Sequence, residues 1–144
     1  MTTISFTVPG PPRGWARARA SAAGRFVRMH NPKANDEWRA LVQHAAVAAL
    51  PDGYVPTRDA VEVRIVAAWS RPASHILTSG GLRKGAPRER TGKPDLSNLL
   101  KGIEDSLNGI VWHDDAQVVR IVMEKRWAAG PEPCGTVVTI RPWP

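Results

Sequence analysis

The stretch KPDLSNLLKGIEDSLNGIVWHDDAQVV, residues 93–119, joins a helix directly to a strand and decides the architecture around it. Leu96, Leu99, Leu100, Ile103 and Leu107 recur at helical spacing. Ser97, Lys101 and Glu104 gather on the opposite side, with Asn98 and Asp105 beside them. The pattern predicts an amphipathic helix over residues 95–108. Asn108-Gly109 supplies its stop. Residues 117–127 then predict a strand with Val119, Ile121, Met123 and Trp127 on one face.

Outward from this core, residues 60–69 alternate, with Val61, Val63, Ile65, Ala67 and Trp69 on one face of a strand. Residues 35–50 carry Trp38, Leu41, Val42, Ala45 and Ala49 as an apolar stripe, with Asn35 or Asp36 placed to cap a helix. Residues 2–8 alternate as a half-buried strand that PGPPRG ends, since proline has no ladder donor. Residues 25–29 predict a short second strand and 136–141 the last one. Gly130-Pro131 and Pro133 suit a hairpin between the last two strands. The 70–93 stretch, rich in Ser, Gly, Pro and Arg, is a long basic loop of the kind that is functional or disordered. The expected fold is α/β (α+β): a single mixed sheet of four to five strands packed with two main helices, in the order ββαβαββ, forming one domain over residues 1–144.

Composition narrows the function. Hydrophobic residues make up 42%, as in a soluble globular protein, and no apolar run approaches the roughly 20 residues of a membrane span. The opening MTTISFTVPG lacks a basic start and apolar run, so it does not read as a signal peptide. Cys134 is the only cysteine, which excludes an internal disulfide and a Cys-rich zinc site and makes a reducing, cytoplasmic setting the default. The net charge of +7 is unevenly spread. Residues 10–33 carry +6 with no acid, residues 71–93 carry +5, and the remainder is left with −4. Two basic segments attract a polyanion and release its counterions. An acidic cluster in such a protein repels the same polyanion unless a cation sits between them.

That cluster lies in the deciding stretch. Asp95 sits at the mouth of the helix, Lys101 follows on its polar face, and Asp114-Asp115 stand between helix and strand. A helix followed directly by a strand can fold back, bringing Asp115 near Asp95. Two close carboxylates favour a hard cation, Mg²⁺ or Mn²⁺, that keeps water and phosphate in its remaining positions. From the residues alone two readings stand side by side: a shared cation, or a solvated acidic turn at a strand start.

Several elements in order resemble the RusA family of Holliday-junction resolvases. They are Asp95, Ser97, Asn98, Lys101, Asp105-Ser106-Leu107 and Asp114-Asp115-Ala116-Gln117-Val118, together with the opening strand, Pro-Gly turn and arginine run FTVPGPPRGWARAR at 6–19. The middle, 51–92, matches only in character. The resemblance implies a homodimer that binds four-way DNA junctions and cuts symmetrically related strands with Mg²⁺. It implies Asp95 and Asp115 as metal ligands, Asp114 as a third, and Lys101 as the catalytic or phosphate-contacting lysine. Where the family pattern has a second aspartate this chain has Ser97, a poor ligand that can still hold a metal-bound water. Helix angles leave Asp114, rather than Glu104 or Asp105, as the easy compensating acid.

Arg13, Arg17, Arg19, Arg88, Arg90 and Lys93 are the expected DNA contacts, more to phosphates than to bases. Trp15, set among arginines, either stacks on an exposed base or packs its loop onto the body. Trp38, Trp69 and Trp127 fall on apolar stripes and belong to the core. His113 reads as exposed. The first rival to a nuclease is a catalytically weakened, structure-selective DNA-binding protein in which Ser97 marks a decayed site, and the second is a basic protein-interaction or RNA-binding module.

Overall fold

The computed structural model describes residues 1–17, 19–30 and 32–144, leaving aside the side chains of residues 19, 23, 28 and 30. Its central sheet has four strands: β1 (Ile4–Pro9), β4 (Val61–Trp69), β5 (Val118–Trp127) and β6 (Gly135–Pro142). They lie in the order β1-β6-β4-β5. Only β4 and β5 run parallel; β6 is antiparallel to both β1 and β4. Two helices, α1 (Lys33–Ala49) and α2 (Leu96–Leu107), pack against each other, and their apolar faces join the sheet's in one core. The remaining strands, β2 (Arg19–Ala23) and β3 (Phe26–His30), form a separate two-stranded ribbon. The fold class is the expected mixed α+β.

The most apolar strand takes the centre. Val61, Val63, Ile65 and Ala67 of β4 are fully buried, facing Leu107, Ile103 and Trp112 in the main core and Leu99 in a satellite with Trp69. Helix α2 carries the chain from β4 to β5 as a parallel crossover, which antiparallel hairpins cannot supply. Burying one such large aliphatic side chain stabilises the fold by about 1.5–3 kcal/mol.

Four details depart from the sequence expectations. The last two strands do not form a hairpin: β4 lies between β5 and β6, so the 128–134 connection crosses the end of β4. That arrangement covers both edges of β4. The 25–29 strand does not join the main sheet but pairs with β2, an alanine-rich strand whose RASAA shows no alternation. Helix α1 begins at Lys33 after Pro32, so Asn35 lies inside its first turn rather than capping it. The buried positions of α1 are Asn35, Trp38, Val42 and Ala46, which leaves Leu41 near the surface. Finally, β5 is an edge strand. Val118 pairs with Val61 and Arg120 with Glu62, so Val119 is an extra residue, and Val119 and Ile121 remain 53% and 41% exposed.

On the sheet face away from the helices, Glu62 is buried between Arg120 and Arg141. Burial pushes its carboxyl up, but the hydrogen bonds from Arg141 and Arg120 overcome this and hold it below the ordinary range. Among the described residues no helix is long and apolar enough to cross a membrane.

Candidate catalytic cleft

Asp95 occupies the N-cap of α2, and its carboxylate accepts the N–H of Asn98 at 2.8 Å. Such a cap fixes the rotamer and the approach of the chain. The segment before it is equally fixed. Lys125 of β5 donates from Nζ to the carbonyls of Gly92 (2.6 Å) and Pro94 (2.8 Å). Arg90 donates to the carbonyls of Gly92 and Lys93, and its guanidinium lies 4.2 Å over Trp69 and 5.4 Å from Trp127. Asp95 thus stands on a braced platform, and among the described residues its second carboxylate oxygen accepts no hydrogen bond.

The arginine-rich N-terminal loop is pressed onto this platform. A Cβ on Gly14 would lie 2.7 Å from the Asn98 amide nitrogen and 2.8 Å from Pro94 Cβ, so only glycine fits there. Trp15 is 8% exposed and packs on Gly102 of α2, with the Arg39 guanidinium 5.2 Å above its ring. Of the two readings for Trp15, the structure takes packing of the loop onto the body. Asn35, buried in α1, both accepts from Ala16 N (2.8 Å) and donates to Ala16 O (2.7 Å).

Between loop and helix runs an open cleft of about 1150 Å³. From α2 it is lined by Asp95, Ser97, Asn98, Lys101 and Asp105. Arg17, Arg39, Lys93 and Met29 also line it. Lys101 pairs with Asp105 at 3.1 Å, one helical turn on. Among the described residues Arg17 and Lys93 carry no ion pair. With four cations against two acids, the cleft attracts an anionic polymer.

The other acids stand at the opposite end of α2. Asp114 caps a one-turn 3-10 helix, Asp115–Gln117, and accepts from Ala116 N at 2.8 Å. Gln117 staples that turn: its Oε1 accepts from His113 N and Asp114 N, and its Nε2 donates to the carbonyls of Thr57 and Asp59. Helix α2 and β5 run in opposite directions, so Asp95 lies by Lys125 near the end of β5, while Asp115 precedes its start. Asp115 instead adjoins Glu104, whose carboxyl is pushed up to about 7 by burial, then by Asp115 and Asp105, with Lys101 opposing. Nine helical residues separate Glu104 from Asp95, about 13 Å of rise. Among the described residues no three His, Cys, Asp or Glu side chains group to hold a metal.

The donor chemistry nevertheless fits a hard divalent cation at Asp95. Among the described residues one Asp95 carboxylate oxygen has no hydrogen bond, and Ser97 lines the same open cleft, which suits an ion that keeps several waters and takes its other ligands from phosphate. Asp115 with Glu104 offers a second carboxylate pair.

The remaining expected DNA contacts divide. Arg13 pairs with Glu37 at 3.5 Å and Arg88 with Glu124 at 3.8 Å, both at the surface. Arg90 is committed to the platform. Arg19 lies, as a side chain, outside the described residues. His113 is exposed, as expected. The sequence offered no signal for Arg39 or Lys125, and Glu104, expected on the polar side of α2, is instead half-buried.

Residues 9–141 match the model of the family described as "Endodeoxyribonuclease RusA". The chain is also 27% identical over 131 residues to the uncharacterised protein YqaN of Bacillus subtilis strain 168, covering 91% of this chain and 92% of that one.

Proposed function

Because the chain belongs to the RusA family of endodeoxyribonucleases, we propose that it resolves four-way junctions and related branched DNA by paired phosphodiester hydrolysis, as a cytoplasmic homodimer that uses Mg²⁺, with Mn²⁺ as a substitute. One observation carries the reading. A capped, rigid carboxylate, Asp95, shares a cleft with Lys101 and a rim of unpaired cations. Hydrolysing a phosphodiester needs both.

Asp95 holds the cation in the cleft. Asp115, with Asp114 beside it, supplies the further ligands that the family pattern implies. Within one chain Asp115 adjoins Glu104 at the far end of α2, away from Asp95. A bound divalent ion polarises the phosphodiester and lowers the pKa of its water. Lys101 neutralises a phosphate oxygen, and Asp105 at 3.1 Å keeps its ammonium turned along the helix. Arg17 and Lys93 bind flanking phosphates, with Arg13, Arg19 and Arg88 further out; Arg90 acts through the platform instead. Exposed ion pairs such as Arg13–Glu37 are worth under about 1 kcal/mol and exchange readily for phosphate.

A mobile synthetic four-way junction incubated with Mg²⁺ tests this. Wild-type protein makes paired, symmetric nicks. Asp95→Asn and Asp115→Asn cut at least about a hundredfold more slowly, as loss of metal-site groups does. Both bind the junction at least as tightly as the wild type, because a negative charge has been removed. The second reading, a DNA-binding protein with a decayed site, is favoured by Ser97 and by the lack of a three-acid group among the described residues. Tight junction binding with no cleavage under any divalent ion would establish it.

A further inference from the structure

The β2–β3 ribbon stands apart from the helix and turn that carry the acids. Its strands pair with each other and with no other strand. The turn is two residues, Gly24-Arg25, with Gly24 at φ +64°, the left-handed value a two-residue hairpin demands at that position. The feet of the ribbon are closed by one side chain: Asn35 follows β3 and bonds both backbone groups of Ala16, which precedes β2. The base is therefore held and the tip projects.

The ribbon presents apolar side chains to solvent. Phe26, Val27 and Met29 are 75%, 70% and 65% exposed. Strand alternation places Val27 and Met29 on one face and Phe26 on the other, beside the turn. Met29 forms part of the wall of the cleft that contains Asp95 and Lys101, so its face overlooks that cleft.

A second copy of the chain is an unsuitable cover for this face. Segment 10–33 carries +6 without an acid, and self-contact would bring those charges together. Charge complementarity instead selects DNA. Valine, methionine and phenylalanine offer phosphate nothing, and in continuous duplex the flat faces of bases are hidden by stacking. At a branch point stacking is interrupted and those faces become available, and apolar wedges between base steps are a general mode of DNA contact. We infer that the β2–β3 hairpin is a branch-point wedge: Val27 and Met29 pack against unstacked bases at the junction centre, with Phe26 at the tip, while Arg17 and Lys93 hold the flanking phosphates. The inference rests on the branched-DNA reading. It adds to that reading a source of selectivity for branches over duplex.

The test uses full-length protein carrying Asp95→Asn, so that the DNA stays intact, and a four-way junction with 2-aminopurine beside the branch. Saturating protein raises the fluorescence, as unstacking does. The double substitution Val27→Ser/Met29→Ser, at exposed positions that tolerate polar residues, removes most of that rise. The same substitution lowers the preference for junction over duplex about tenfold, the scale of one lost base contact, with duplex affinity unchanged. Phe26→Ser gives a smaller loss of the same kind. An undiminished rise in the double variant, or no rise with Asp95→Asn alone, overturns the wedge. So does a shift from dimer to monomer in sedimentation with fluorescence unaltered, which would make the face a self-contact. Wild-type cleavage is scored separately. Cutting without unstacking removes the wedge and leaves the nuclease, and unstacking without cutting does the reverse.

Discussion

The two basic segments look alike in sequence and are used differently in the structure. In residues 10–33 two cations turn outward: among the described residues Arg17 faces the cleft without an ion pair, and Arg13 pairs with the surface carboxylate of Glu37. Residues 71–93 turn several inward. Arg71 donates to the carbonyls of Ala128 (3.1 Å) and Pro87 (2.8 Å), and Arg90 is stacked on two tryptophans. The difference comes from the neighbours. The first loop lies on a helix N-terminus, whose free groups are donors. The second lies across exposed carbonyls and the indole faces of Trp69 and Trp127, which accept a guanidinium. A count of arginines measures long-range attraction; only the acceptors nearby decide which arginines remain to touch DNA.

The sharpest break of this comparison is Arg90→Ala. It removes two carbonyl hydrogen bonds and a cation stacked on aromatic rings, at a cost of about 2 kcal/mol in unfolding free energy. Arg90→Lys does not restore it, since an ammonium neither stacks nor forks. Urea melts read the loss, and a shallower salt dependence of DNA binding with unchanged stability would put Arg90 in the other class. Next in size is Arg17→Ala. Junction affinity falls several-fold, the slope of log affinity against log salt shrinks by about one, and stability moves by less than about 0.5 kcal/mol. A salt slope equal to the wild type's would show that Arg17 touches no phosphate.

A third test probes the acidic end of α2. Glu104 is raised to about 7, so below that pH the folded chain keeps a proton that the unfolded chain releases nearer the ordinary carboxylate value. Stability therefore falls as pH rises from about 4.5 to 7 and stays low above it. Glu104→Gln lacks this dependence. In metal-free buffer its melting temperature equals the wild type's near pH 4.5 and exceeds it at pH 8. Equal melting temperatures at both pH values would separate Glu104 from Asp115.

What was legible in the sequence was what a repeating pattern carries. The spacing of Leu99, Ile103 and Leu107 placed α2, and alternation placed β1 and β4. Asp95 and Lys101 were legible because a cap and a polar face follow from helix geometry. Three things were not. RASAA has no period, so β2 gave no signal. A connection of seven residues does not say which side of β4 its strand will take, so the β6 insertion was hidden. Asn35 looks like a cap in the chain and acts as a brace in space, because its partner Ala16 is 19 residues away.

The sheet order has a consequence for how the chain matures on the ribosome. β1 is made first, yet its one neighbour in the sheet is β6, made last. A nascent chain that has not reached residue 135 holds a strand with no partner. Its closure joins contacts more than a hundred residues apart, the kind that form slowly. Trimming β6 would therefore leave β1 without its partner as well.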